Sequence, residues 1–139
     1  MLDRLKRKFV TAARYVPKPV LTGRGDCEVG IISVGSCDGA IREALDILSR
    51  QKIGIDYLRV KAFPFTTEVE TFLRDHQLIF VVEQNRDAQL RSLLTLETTV
   101  EKSKLESILS YGGLPLSADP IVNDIRAKLA EAPRLSVIK

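Results

Sequence analysis

Leu78-Ile79-Phe80-Val81-Val82-Glu83-Gln84-Asn85 is the stretch on which the fold turns. Its five apolar residues do not alternate with polar ones, and the run is too short for a helix. That is the pattern of a strand covered on both faces, as in a parallel sheet under helices. The strand runs directly into a carboxylate and two amides, which sets hydrogen-bonding groups at a sheet's carboxyl edge. Open α/β sheets place ligands or subunit contacts there. Upstream, Ile55 to Val60 reads as a second strand. Between the two, Thr67 and Glu70 stand three apart as a capping box ahead of Val69, Phe72 and Leu73, so a helix is expected, ending near Asp75. Downstream, Ala88, Leu90, Leu93, Leu94 and Leu96 predict another helix, with Asn85 or Asp87 as its cap.

The same alternation extends in both directions. Cys27 to Val34 is a strand, Gly35-Ser36 turns the chain, and Ile41, Ala44, Leu45 and Leu48 recur at helical spacing until Gly54 lets it reverse. Thr98 to Lys102 is polar connection. Leu105 to Tyr111 is a weaker strand, interrupted by Glu106, Ser107 and Ser110 as suits a position near an edge, and Gly112-Gly113 ends it. Asp119 is expected to cap a last helix, with Pro120 in its first turn and Ile121, Ile125 and Leu129 on its buried face. At the other end, Leu2, Leu5, Phe9, Ala12, Ala13 and Val16 form one helical stripe that Pro17 and Pro19 stop. Val20-Leu21-Thr22 is a short edge strand, and Gly23 to Asp26 turn. The expected organisation is an amphipathic basic leader helix and edge-strand arm over 1–26, a single α/β domain over 27–132, and a loose tail over 133–139.

Strands alternating with helices require a parallel sheet with right-handed crossovers, a three-layer α/β/α arrangement. With the 55–60 strand on one side of the 27–34 strand and the later strands on the other, the chain reverses direction beside the loops Gly35-Ser36-Cys37-Asp38 and Gln84-Asn85-Arg86-Asp87.

Composition narrows the classes. At 139 residues, 45% hydrophobic and 28% charged, the chain sits at the average for globular domains. Its net charge of +3 conceals an asymmetry, +6 over residues 1–24 and −3 over the rest. The basic excess lies on one helix rather than on a face with aromatic platforms, which argues against a nucleic-acid partner. No apolar run approaches the roughly 18 residues of a membrane span, and Met1 to Lys8 lacks the core of a secretory signal, so no membrane partner is expected. Cys27 and Cys37 fit neither a redox pair nor a metal knuckle, and His76 has no partner nearby in sequence. A reducing, cytoplasmic location without disulfides or metal is the expectation.

Among the polar clusters, Gly35-Ser36-Cys37-Asp38-Gly39 has the ingredients of an anion nest, but reads more simply as a strand-to-helix turn with Ser36 or Asp38 as cap, and Asp38 would repel phosphate. Cys37 in a first helical turn could carry a lowered thiol pKa, yet no base accompanies it. His76 leads into the 78–83 strand at its amino end and reads as a surface loop residue. Glu83, Gln84, Asn85 and Arg86 lack the paired carboxyl environments of acid–base chemistry, so capping and interface roles are expected. A small anionic ligand in the 35–38/84–87 crevice is the alternative. No catalytic, cofactor-binding or metal residue is assigned.

Four motifs in order, Val29-Gly-Ile-Ile-Ser-Val-Gly-Ser36, Asp56-Tyr-Leu-Arg-Val-Lys-Ala-Phe-Pro-Phe65, Phe80-Val-Val-Glu-Gln-Asn-Arg-Asp87 and Tyr111-Gly-Gly-Leu-Pro115, resemble the carboxyl-terminal domain of the alpha subunit of 2-oxoacid:ferredoxin oxidoreductases, with the 2-oxoglutarate type closest. The resemblance covers about residues 5 to 128. It implies a transketolase carboxyl-terminal-like domain, with a mostly parallel five-stranded sheet whose first strand is antiparallel, and further alpha domains outside this sequence. Met1 is therefore expected to open a truncated piece or an unusually split subunit. It implies, for the whole enzyme, thiamine diphosphate, magnesium and an iron–sulfur cluster as cofactors, with CoA as a substrate of 2-oxoacid decarboxylation. The implied partners are the remaining alpha domains and the beta subunit, with ferredoxin as electron acceptor of the complex. This chain lacks the Gly-Asp-Gly diphosphate–magnesium signature and the four thiolates of a cluster, so it is expected to be architectural and inactive alone.

Overall fold

A computed structural model describes residues 2–132. The expected loose tail, 133–139, lies outside the described residues. The elements are α1 (Leu2–Ala12), β1 (Val20–Thr22), β2 (Val29–Val34), α2 (Asp38–Arg50), β3 (Asp56–Val60), α3 (Thr67–Asp75), β4 (Leu78–Glu83), α4 (Gln89–Glu97), β5 (Leu105–Leu109) and α5 (Ala118–Glu131). The five strands form one sheet in the order β1-β3-β2-β4-β5, with β1 antiparallel to β3 and all other pairs parallel. This is the expected three-layer α/β/α architecture, with β2 at the centre and the chain reversing direction across it.

Period-two alternation along the strands divides the core between the two faces. Ile31, Tyr57, Phe80 and Ile108 point to one face under α2 and α5, through Ile41, Ala44, Leu48, Ile121 and Ile125. Ile32, Leu58, Ile79, Val81 and Leu105 point to the other, under α3 and α4, through Val69, Phe72, Leu73, Leu90 and Leu94. β4 is buried at all six positions, which accounts for its unbroken apolar run. β5 is the far edge strand and only partly covered, as its serines and glutamate suggest.

Several local expectations shift. Thr66, not Thr67, precedes α3, and no side-chain cap forms there. Ser117 precedes α5, so Asp119 lies within its first turn, where a carboxylate favours the helix dipole. The reversal after α2 is made by Lys52 at φ 63° rather than by Gly54. A 3-10 turn, Gly35–Cys37, joins β2 to α2. Gly30 has a packing reason in mid-strand, because a Cβ there would fall 2.6 Å from the Phe72 ring and 3.1 Å from His76.

Candidate functional site

The two loops predicted to flank the chain reversal do meet. Ser36 Oγ donates to Gln84 Oε1 across the carboxyl ends of β2 and β4. The β2–β4 pairing that aligns Ser33 with Val82 puts them side by side. This bond spans the crevice proposed as an anion site. Among the described residues, four of the better-formed surface cavities lie elsewhere, and none of these four is lined by Ser36, Cys37, Asp38, Glu83, Gln84, Asn85 or Arg86.

Glu83 is 3% exposed and turned inward. Its carboxylate accepts the backbone N–H groups of Leu90 and Arg91, at the start of α4, and Asn85 Nδ2 donates to it at 2.9 Å. Asn85 Oδ1 accepts the N–H groups of Asp87 (3.0 Å) and Gln89 (3.3 Å). Neither Asn85 nor Asp87 occupies the N-cap position itself, which Ala88 takes in the left-handed region at φ 50°. The cap is delivered from a distance: a strand-end carboxylate at the helix's positive pole, satisfying N–H groups that the helix leaves without internal partners. Among the described residues, Arg86 pairs only with its neighbour Asp87, at 2.8 Å on the surface.

The other loop is equally engaged. Asp38 receives Arg42 at 2.9 Å and the Tyr57 hydroxyl at 3.1 Å, with Arg59 at 3.7 Å. The Arg42 hydrogen bond, aided by Tyr57 and Arg59, holds its carboxyl below the usual range. Tyr57, wholly buried, also bonds Ser33 Oγ at 2.8 Å. Burial pushes its phenol up to about 12. The Cys37 thiol is 2% exposed, and burial raises its pKa, with the nearby Glu83 acting in the same direction. The expectation of a lowered thiol pKa is thus overturned: desolvation outweighs the helix-start dipole. Apolar residues share this edge with the exposed Ser36, Gln84 and Arg86: Val34 is 46%, Tyr111 65% and Leu114 79% exposed.

At the amino end of the sheet, sequence reasoning missed a second polar centre. His76 is 3% exposed, not a surface loop residue. Its Nδ1 lies 2.7 Å from the Phe72 carbonyl and its Nε2 3.3 Å from Asp56 Oδ2. Asp56, fully buried, also accepts the N–H groups of Gly25 and Cys27 at 2.9 Å each. Burial opposes ionisation of Asp56, but the two backbone donors and His76 prevail and keep its carboxyl below the ordinary value. The hints were a carboxylate opening an apolar strand and a sole histidine before the next one, separated by 20 residues.

Cofactor chemistry finds no fit in these groups. Asp26, Cys27 and Asp56 bring ligand atoms within 4.8 Å of one another, but both Asp56 oxygens already hold backbone amides. Cys27 and Cys37 lie beyond opposite ends of β2, whose six residues span about 20 Å, so they cannot share a cluster. The turn at Gly35–Cys37 is fronted by Asp38 and backed by Glu83, charges that repel a diphosphate. Among the described residues, no helix is long and apolar enough to cross a membrane.

A five-stranded sheet in this order, with one antiparallel edge strand and helices packed on both faces, defines an α/β domain of the transketolase carboxyl-terminal-like class. No family model matches the chain. The 2-oxoacid:ferredoxin oxidoreductase subunit alpha of Saccharolobus solfataricus is 28% identical over 143 residues, taking in 99% of this chain and 22% of that subunit. The alpha subunit of 2-oxoacid:ferredoxin oxidoreductase 2 from Aeropyrum pernix is 29% identical over 131 residues, 91% of this chain and 20% of that one. Among solved structures, 2-oxoglutarate:ferredoxin oxidoreductase from Magnetococcus marinus, with 2-oxoglutarate, coenzyme A and succinyl-CoA bound, matches with TM-score 0.76 and 25% identity, over 86% of this chain and 21% of that chain. The alpha chain of a probable 2-oxoacid ferredoxin oxidoreductase from Thermoplasma acidophilum matches with TM-score 0.56 and 30% identity, over 81% of this chain and 97% of that chain. The chain belongs to the 2-oxoacid:ferredoxin oxidoreductase alpha-subunit family. It spans about a fifth of the length of the curated relatives it matches.

Proposed function

We propose that this chain is the carboxyl-terminal domain of a 2-oxoacid:ferredoxin oxidoreductase alpha subunit, a packing and assembly domain that carries none of the reacting groups. The observation that carries this reading is the carboxyl edge. There Glu83 is spent on capping α4, Asp38 on two arginines and a tyrosine, and Ser36 on Gln84, so both carboxylates and the hydroxyl among the seven candidate residues are held by neighbours within the domain. Val34, Tyr111 and Leu114 offer apolar surface on the same edge, as a face packed in a larger assembly would.

In the whole enzyme the domain supports CoA-dependent oxidative decarboxylation of a 2-oxoacid. 2-Oxoglutarate is favoured, in keeping with the Magnetococcus marinus neighbour. Thiamine diphosphate, magnesium and the iron–sulfur cluster belong to the other parts of that enzyme. The partners are the remaining alpha-subunit domains and the beta subunit, with ferredoxin receiving the electrons, in the cytoplasm. Within the chain, residues 27–132 form the domain and 1–26 an arm whose strand β1 is joined to the sheet through β3.

The test is sedimentation of the chain with the remaining alpha domains and the beta subunit of the same source. Co-sedimentation at fixed stoichiometry is expected, and Gln84→Ala/Asn85→Ala should weaken it more than it lowers turnover of the assembled enzyme. Intact assembly with lost turnover would assign the cluster to catalysis instead.

A further inference from the structure

The helix α1 is amphipathic, yet none of its residues is buried. Its stripe of Leu2, Leu5 and Phe9 is 80%, 52% and 49% exposed, and Val10 beside it is 62% exposed. Contact with the domain is confined to the carboxyl half, where the Phe9 ring lies 6.5 Å from Phe63, which in turn packs edge-on against Phe65 at 5.4 Å. Under that contact runs a groove of about 580 Å³ walled by α1 on one side and the 63–68 segment on the other. Glu68, Glu70 and Glu97 line it beside Arg14 and Lys18, and Lys18 pairs with Glu68 at 2.9 Å, so the groove itself is acidic as well as apolar.

Within residues 2–14 the stripe is accompanied by Arg4, Lys6, Arg7, Lys8 and Arg14 against one acid, Asp3. Among the described residues none of these five cations is in a salt bridge. An apolar seam flanked by unneutralised positive charge is complementary to an acidic surface with an apolar centre. About four fifths of the curated relatives' length lies outside the region this chain matches, so protein of that same subunit is the nearest source of such a surface.

We propose that the exposed face of α1 forms a docking site for an acidic, apolar-centred surface on the rest of the oxidoreductase, the remaining alpha-subunit domains. The proposal rests on the functional reading above and names the element that makes the contact. Leu2, Leu5 and Phe9 supply affinity by leaving water, and the basic flanks speed and orient encounter.

The experiment measures binding of the full chain to the remaining alpha domains of the same source, by surface plasmon resonance at about 50 and 500 mM salt, where the screening length falls about threefold. Wild type should bind, more weakly at high salt. Leu2→Ser/Leu5→Ser should weaken binding about tenfold or more, mainly through faster dissociation. Arg4→Glu/Lys8→Glu should slow association and flatten the salt dependence. Because Leu2, Arg4, Leu5 and Lys8 are all exposed and the Phe9–Phe63 contact is left in place, both variants should melt with wild type, so a loss of binding is not a loss of fold. Equal binding by wild type and both variants would overturn the docking site while leaving the domain's place in the enzyme intact. No binding by wild type would instead overturn the functional reading on which it rests. Sedimentation of the chain alone as an α1-dependent dimer, or α1-dependent binding to phosphatidylserine vesicles without binding to the alpha domains, would overturn it in favour of a second copy or an anionic lipid surface.

Discussion

Replacing Asp56 by Asn should remove much of this domain's stability while changing its shape by almost nothing. The carboxylate is fully buried, accepts the Gly25 N–H and the Cys27 N–H, and lies 3.3 Å from His76 Nε2. The first two fasten the loop between β1 and β2 onto β3, and the third fastens the end of α3. Asn offers one acceptor where the carboxylate offers two, and its amide group then faces donors. Hydrogen bonds to charged groups contribute about 1.5–3 kcal/mol each, and a donor left buried without an acceptor costs about 1–3 kcal/mol. The expected loss is about 3–5 kcal/mol, a large part of the roughly 5–15 kcal/mol by which domains of this kind are stable.

Urea unfolding at pH 7 measures it. With a slope of about 1.5 kcal/mol per molar, the midpoint should fall by about 2–3 M. The pH dependence has a definite sign. The folded-state carboxyl ionises more readily than the unfolded one at 3.8, so its contribution is complete above about pH 5 and is lost as the pH falls through the depressed value. Wild type should therefore lose stability on acidification below pH 5 more steeply than Asp56→Asn. A double-mutant cycle with His76→Gln should return a coupling of about 1–3 kcal/mol. A loss below about 1 kcal/mol, or parallel acid profiles, would refute the reasoning.

Three further outcomes follow from the packing. Gly30→Ala puts a methyl 2.6 Å from the Phe72 ring, and should cost about 1–3 kcal/mol by overpacking, read as a lowered melting temperature. Glu83→Ala strips the start of α4 of a buried acceptor for two N–H groups, and should cost about 2–3 kcal/mol with faster amide exchange confined to Leu90 and Arg91. Cys37, buried with a raised pKa, should resist iodoacetamide at pH 7.5 in the folded chain and react once urea unfolds it; rapid native labelling would contradict its placement.

What could be read in the sequence were features with a period or a direction. Leu78 to Val82 announced a covered strand because burial on both faces demands an apolar residue at every position, and β4 is buried throughout. The parallel pairing followed from strands alternating with helices, the strand order was assumed rather than derived, and the antiparallel β1 came from the family resemblance. Features fixed by contacts distant in sequence were not legible. Asp56 and His76 each look unremarkable in their own segments, and only the folding of α3 over β3 brings them together. Cys37 carries the local signature of a reactive thiol at a helix start, which the burial created by α2 and the neighbouring loop reverses. The Glu83 cluster lay between the two: its polarity and place at the strand end were visible, while its inward turn onto α4 depended on the left-handed Ala88 that no local pattern indicates.

Turnover with the domain supplied or withheld tests the central claim most directly. The remaining alpha domains and the beta subunit, charged with thiamine diphosphate and magnesium, are assayed for CoA- and 2-oxoglutarate-dependent reduction of ferredoxin. The account predicts little activity without this chain, recovery when it is added in equimolar amount, and none from the chain alone. Full activity in its absence would contradict the assembly role, and 2-oxoacid-dependent electron transfer by the isolated chain would contradict its assignment as non-catalytic.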